Sequence, residues 1–412
     1  MKKIIVLQIP NSKNNGSAMM AINSITHFND YFNRDVEFYC DFSSDYDHQR
    51  IASELNDNVK TFKLNLPKFN RGSNIVTSII NRVPWITQIV NTISKHKPDA
   101  VIVLGGDDFS EYYSGYKIVI RLYLFYRLSL KFPVYLIGHT IGPFHSWRKK
   151  AFEIFMAKCR IVTRDENSLN HCKNDLNIKH VEQGHDLAWF DLPKQSEELK
   201  QKMISKYNLK ENKYITIIPS ALVKHYTNSS EDYFNSWEKI IEKLRSLNYH
   251  ILFMPHVFKD NDKDDRWVIG EIAKKIEDKN NITFIEEMLL PSECRAILSA
   301  GYLSISCRMH SAVSTLQTGK PTIALSYSAK YAGVIGGDVG MPHLVIESTN
   351  DELWKNGLVD EIMKKIEYIQ INYDDLTKNI LKRIEEIKID EKNILNKYSK
   401  IIDENKGKPF SE

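Results

Sequence analysis

The feature that most constrains this chain is a series of short, mostly apolar segments, rich in β-branched residues, each ending abruptly on glycine or polar residues. AVIVLGG, YITIIPSAL, YLSISCRMH and PTIALSY show it most clearly. A strand that is apolar on both sides has to be covered on both sides. Helices crossing over between parallel strands provide that cover. The remaining segments keep the same rhythm. KKIIVLQIP, VEFYCDF, VKTFKLNL, PVYLIGHTIGP, RIVTRD and KHVEQGHD predict strands in the first half, and YHILFMPHV and NITFIEE in the second. Helical stretches fall between most of them, clearest over 73–97 and 117–131.

At 412 residues the chain is long for one core, so two domains are expected. The polar stretch DLPKQSEELKQK, with Pro193, marks the boundary. This predicts an N-terminal Rossmann-like domain over 1–192, a C-terminal one over 200–350, and a helical extension over 351–412. The fold class is therefore α/β, with two Rossmann-like domains facing across a cleft. In the extension, apolar residues recur at helical spacing in NILKRIEEIKIDEKNILNKYSKIIDENK, as in a surface helix packed on a domain.

Charge excludes some classes. Lys plus Arg number 56 and Asp plus Glu 52, a balance of +4 without a basic block. That does not suit nucleic acid, but it favours anionic ligands or a peripheral contact with anionic lipid. Five cysteines without CxxC spacing read as buried thiols in a reducing compartment. The start, MKKIIVLQIPNSKN, breaks off too early for a signal peptide. KIVIRLYLFYRLSLKF carries Arg121 and Arg127, which argues against a spanning helix. The expected location is the cytoplasm, including the inner face of the membrane.

Ligands of open α/β sheets sit beyond the carboxyl ends of the strands, so polar residues there are the candidates. In the first half these are Asn15, Gly16 and Ser17, then Asp107 and Asp108, His139, Arg164 and Asp186. Gly16 permits a tight turn, and Ser17 is placed to cap the following helix. The loop matches neither nucleotide fingerprint. Asp107 or Asp108 could take a proton from a sugar hydroxyl. In the second half the candidates are His256, Arg308, His310, Ser311, Tyr327 and Lys330. Arg308 and His310, at i and i+2, would share one face of a strand. A guanidinium fork, an imidazole and a helix start suit a small, multiply anionic ligand. The run Asp260, Asp262, Asp264 superficially resembles a calcium loop, but Asp265 stands where glycine is needed. It reads as a solvated helix start, and no metal is expected.

The ordered set NNGSAMMAI, VIVLGGDD, IGHTIGPF, VTRDENSL, GHDLAW, MPHVFKD and SCRMHSAVSTLQTGKPTIALSYSAKY resembles the polysaccharide pyruvyl transferase family, from the first strand to about residue 345. The resemblance implies a fold similar to two-domain GT-B glycosyltransferases. It also implies transfer of pyruvate from phosphoenolpyruvate, as a ketal, to a sugar or lipid-linked glycan acceptor of the cell envelope, with no cofactor. Arg308 and His310 would hold phosphoenolpyruvate, and His256 and Lys330 fall on matching motif positions. His310 or His139 would handle protons, and Asp107 or Asp108 would activate the hydroxyl. The chain departs from the family pattern at GGDD and NNGS, both in the domain expected to take the acceptor. A GT-B glycosyltransferase using a nucleotide sugar such as a CMP-sugar is the alternative. Against it, Ser314 stands where retaining members place a glutamate. A non-catalytic glycan-binding protein is a third reading.

Overall fold

The computed structural model describes residues 1–9, 11–69, 81–111, 117–259, 263–328 and 330–410. Two parallel sheets organise it. The first contains β1 (Lys2–Leu7), β2 (Val36–Cys40), β3 (Lys60–Lys63), β4 (Ala100–Leu104), β5 (Val134–His139), β6 (Cys159–Thr163) and β7 (Val181–Gln183), in the order β3-β2-β1-β4-β5-β6-β7. The second contains β8 (Tyr214–Ile218), β9 (His250–Phe253), β10 (Ile282–Phe284), β11 (Leu303–Ser306), β12 (Thr322–Ser326) and β13 (Val345–Glu347), in the order β10-β9-β8-β11-β12-β13.

Every residue of β4, β5, β8, β11 and β12 is buried. Their sequences are mostly apolar because helices cover both faces, with a few buried polar residues such as Ser304, Ser306 and Thr322 among them. The edge strand β3, KTFK, has no buried residue. Strand order reverses between β1 and β4 in one sheet and between β8 and β11 in the other, the positions where open α/β sheets leave room for a ligand.

Two glycines meet where β4 and β5 end. A Cβ on Gly105 would lie 1.8 Å from the carbonyl oxygen of Gly138, so backbone approaches backbone there as only glycine allows. Gly138 itself has φ +74°, at the irregular end of β5 where the register with β6 shifts.

Several boundaries differ from the sequence expectation. The helix expected over 73–97 is described as Arg82–Lys95, and residues 73–80 of it lie outside the described residues. That expected over 117–131 is Lys117–Ser129. Strand β13 was not foreseen, because three residues are too few to show a period.

Packing divides the chain into two units. One comprises Met1–Ser12, Met20–Leu187 and Asp390–Glu412, the other Lys13–Met19 and Ala188–Ile389. The change at Leu187, ahead of Pro193, has a clear cause. The buried guanidinium of Arg295 donates to the carbonyls of Ala188 and Phe190, the latter at 2.6 Å, and holds that segment to the second unit.

The tail described over 351–410 is mainly helical, with Leu358–Ile371 and Tyr373–Asn405 as its main elements, but its last part is not a separate extension. Leu395, Tyr398 and Ile402 are buried. The Tyr398 hydroxyl donates to Glu182 at 2.7 Å, and Glu391 accepts from the His185 backbone at 2.7 Å. No described helix is long and apolar enough to cross a membrane. None of the five cysteines forms a disulfide, and all five are buried.

Candidate active site

In the second unit the chain leaves β11 through a tightly held turn. The Ser306 hydroxyl accepts from the Arg308 backbone N–H at 3.0 Å and donates to the Arg308 carbonyl at 2.8 Å. The hydroxyls of Tyr226 and Tyr331 both donate to the Cys307 carbonyl, Tyr331 at 2.7 Å. Arg308 then caps the helix Met309–Gln317, which places His310 in its first turn. The two residues therefore do not share a strand face. The strand has ended at Ser306, and a strand-to-helix turn presents them instead. Ser311 is fully buried and donates to the Arg308 carbonyl at 2.8 Å, so its hydroxyl belongs to this turn.

The partner of Arg308 is the residue read from sequence as part of a solvated helix start. Asp265 is fully buried, and the Arg308 guanidinium donates to it through Nη2 at 2.6 Å and through Nε at 3.2 Å. Asp265 also accepts from the backbone N–H groups of Ala221, His256 and Val257, at 3.2, 3.2 and 2.9 Å. One carboxylate thus ties together the ends of β8 and β9 and the turn after β11. It lies at the start of the helix Asp265–Lys275, whose cap is Asp264. Asp260 and Asp262 lie outside the described residues. Burial works against charge on Arg308, but Asp265 outweighs it and raises the guanidinium above its ordinary value. The fork is therefore already engaged on its Nε and Nη2 side.

His256 stands at the end of β9 with 1% exposure, and its Nε2 has no hydrogen-bond partner among the described residues. Burial, followed by the nearby charges of His310, Arg308 and Arg295, lowers its pKa well below the usual imidazole value. The imidazole is neutral and set among positive groups. Lys259 belongs to the same field: partial burial, then Arg308, lower its ammonium.

The segment Lys13–Met19 closes this region. The Asn15 backbone N–H donates to the His256 carbonyl at 3.3 Å, and its side-chain amide donates to Cys294 Sγ at 3.1 Å. Gly16 lies against His310. A Cβ there would fall 2.2 Å from His310 Nδ1, so glycine is required by a side chain rather than by a phosphate. Asn14, not Ser17, caps this helix, accepting from the Gly16 N–H at 3.1 Å. Ser17 is the third helical residue and half-buried. On the β12 side, Lys330 Nζ donates to the Tyr327 hydroxyl at 2.8 Å and sits 4.7 Å from the Tyr327 ring centre. Tyr327 also acts electrostatically on Arg308. Ser314 is buried, with its hydroxyl directed to Met19 Sδ at 3.2 Å.

The first unit holds a second group of predicted residues. Arg164 and Asp186 form a fully buried pair at 2.7 Å, and Arg164 Nε donates to the Thr140 hydroxyl at 2.9 Å. Thr140 in turn donates to Asp165, whose carboxylate caps the next helix through the Ser168 N–H. Asp107 acts on Arg164, and Asp108, half-exposed, pairs with Arg121 at 3.1 Å. His139 is fully buried against Phe109, its Nε2 donating to the Val103 carbonyl at 3.1 Å. Burial lowers its pKa to about 3, with the Val103 bond opposing. A neutral imidazole there does not supply a proton near neutral pH.

The turn that carries Arg308 and His310, the loop before Gly16 and the ends of β8, β9 and β12 all fall inside one family model. Residues 14–329 match the model described as polysaccharide pyruvyl transferase. The chain belongs to that family. Among curated relatives, this family member is similar to the amylovoran biosynthesis protein AmsJ of Erwinia amylovora. The two are 24% identical over 302 residues, spanning 71% of this chain and 70% of the relative. Its fold is similar to a glycosyltransferase from Rickettsia africae, with 13% identity, TM-score 0.60 and 98% of each chain covered. It is also similar to a UDP-GlcNAc 2-epimerase from Neisseria meningitidis, with 13% identity, TM-score 0.59, and 98% and 99% covered. At such identity the likeness concerns the fold, which is GT-B-like.

Proposed function

We propose that this family member is a transferase moving pyruvate from phosphoenolpyruvate to a pair of hydroxyls on a cell-surface glycan or its lipid-linked precursor, as a ketal. The observation that carries this reading is the convergence in the second unit of Arg308, His310, neutral His256 and the Lys330–Tyr327 pair. Fixed positive charge with a single paired carboxylate, Asp265, suits a ligand bearing both carboxylate and phosphate.

The chemistry asks for few groups. A proton is added to the CH2 carbon of the enol, a sugar hydroxyl attacks C2, and phosphate leaves with the C–O bond electrons. A second hydroxyl closes the ring. Of the two protons lost by the hydroxyls, one is balanced by the new methyl group and the other by the departing phosphate. His310 is the better proton carrier of the two histidines first considered, because His139 is held neutral deep in its sheet. Arg308, with Nε and Nη2 fixed by Asp265, offers its Nη1 side to the anion and needs no reorganisation. Asp107 and Asp108 serve as candidates for taking the hydroxyl proton.

The test is calorimetric titration with phosphoenolpyruvate and, in parallel, CMP, UDP and GDP, on the native chain and on Arg308→Ala. Phosphoenolpyruvate is expected to bind, and the variant to lose that binding. Silence towards phosphoenolpyruvate, with or without binding of a nucleotide, overturns the reading.

A further inference from the structure

Charge is unevenly placed along this chain. Residues 117–158 contain eight basic residues and one acidic residue, Glu153, although the whole chain balances at only +4. The remainder therefore has more acidic than basic residues. No run of adjacent residues carries the excess. The fold of the first unit gathers it, because the helix Lys117–Ser129 packs against the helix Ser146–Met156.

The second of these helices buries Phe152 and Met156 beneath it, as a helix on a sheet must. Trp147, Lys150 and Ile154, at i, i+3 and i+7, share the opposite face. Trp147 is 54% exposed and Ile154 51%, so two large apolar side chains stand in water about 10 Å apart along one helix. The next residue, Phe155, packs against Tyr123 and Tyr126 of the neighbouring helix, with ring centres 5.8 and 5.5 Å away. Arg127 donates to the Tyr123 hydroxyl at 3.1 Å. Just beyond that helix, Leu130 and Lys131 are exposed.

Four of the cations have carboxylate partners. Arg121 pairs with Asp108 at 3.1 Å, Arg148 with Glu111 at 3.6 Å, Lys149 with Asp175 at 3.6 Å and Lys150 with Glu153 at 2.8 Å. The pairs of Lys149 and Lys150 lie at the surface, where such contacts are weak. Those lysines can turn to a denser array of negative charge at little cost.

We propose that this face docks on the surface of an anionic lipid bilayer. Aromatic and apolar side chains set among lysines and arginines are what the boundary between headgroups and acyl chains accommodates. There Trp147 and Ile154 would leave water while the cations meet lipid phosphates. No described helix is long and apolar enough to cross a membrane, so the contact is peripheral. A second copy of this chain would set like charge against like charge in a twofold contact. A polyanion in solution would satisfy the cations and leave Trp147 and Ile154 in water. The proposal does not depend on the pyruvyl transfer reading. Vesicle binding and phosphoenolpyruvate binding use different residues, and either can fail alone.

The test is cosedimentation of the full chain with vesicles of phosphatidylcholine alone and of phosphatidylcholine mixed with phosphatidylglycerol. Binding to the anionic vesicles only, lost at high salt, is expected. Each lysine near an anionic surface changes partition about fivefold, so Lys131→Gln, Lys149→Gln and Lys150→Gln combined should weaken it roughly a hundredfold. Lipids brominated in their chains should quench Trp147. That quenching should vanish in Trp147→Phe while sedimentation persists. Lys131, Trp147 and Lys150 are exposed, so the variants should fold, which thermal melting checks. Four results overturn the proposal: no sedimentation with anionic vesicles, equal sedimentation with both kinds, unchanged binding by the folded triple variant, or quenching that survives Trp147→Phe. Retention on heparin without vesicle binding also overturns it, and marks the face as one for a soluble polyanion.

Discussion

Replacing Asp265 by Asn tests the architecture of the proposed donor site most directly. Asp265 is fully buried and accepts from three backbone N–H groups and from two nitrogens of Arg308. Asparagine keeps the shape but presents an NH2 to donors that need an acceptor, and it leaves a buried guanidinium without its counter-charge. Breaking such a pair from one side costs about 3–5 kcal/mol. In a unit of the size formed by Lys13–Met19 and Ala188–Ile389, each kcal/mol moves the melting temperature by about 2–4 °C. The expected fall in Tm is therefore roughly 6–20 °C, read by scanning calorimetry. Phosphoenolpyruvate binding should weaken as well, because Arg308 would no longer be held. The double variant Asp265→Leu with Arg308→Met removes both charges. It should recover only part of the stability, because the backbone N–H groups of Ala221, His256 and Val257 still lose their acceptor, while binding stays lost. An Asp265→Asn protein with unchanged Tm and unchanged binding would refute the reasoning, since the pair would then be neither buried nor positioning.

Two further outcomes follow from the geometry. Gly16→Ala should lower kcat/KM at least tenfold and lower Tm as well, because the new Cβ would fall within 2.2–2.8 Å of the His310 ring and Cβ and force the residue aside. If steady-state kinetics show the variant equal to the native enzyme, the contact is not functional. Acid should destabilise the first unit through His139 and His27, whose pKa values are lowered to about 3 and about 4, burial being the main cause in each. The unfolded chain takes up these protons below its own imidazole value of 6.5, and the folded one resists until pH 4 and then 3. Stability is therefore complete above 6.5 and is lost as pH falls through that window. His139→Gln should flatten the Tm profile there, and an unchanged slope would show that the imidazole is not held neutral.

How much was legible from sequence depended on whether the information was local. The inner strands could be read because full burial on both faces leaves a mostly apolar run, and twelve of the thirteen strands of the two sheets lie within or overlap the segments marked from sequence. The candidates at strand ends were also local, since each polar residue simply follows its strand. Asp265 was missed because an acidic run at a helix start looks solvated until the turn after β11 is folded against it. No short-range pattern links position 265 to position 308. His139 was over-read for the same reason. Its place at the end of β5 is visible in sequence, but its complete burial against Phe109 and Val103 is not.

Periodicity and residues adjacent in the chain were enough to give the α/β class, the parallel sheets and the pairing of Arg308 with His310 at a strand end, though not the strand-to-helix turn that presents them. Which charges neutralise one another, as in Arg308 with Asp265 and Arg164 with Asp186, is visible only in the folded chain. The tertiary structure alone decided that Gly16 makes room for His310 and that the tail from Asp390 returns to the first unit. These outcomes depend on distances between residues far apart in the chain. Folding sets those distances by burying apolar area, which carries no label for the polar group each residue will meet.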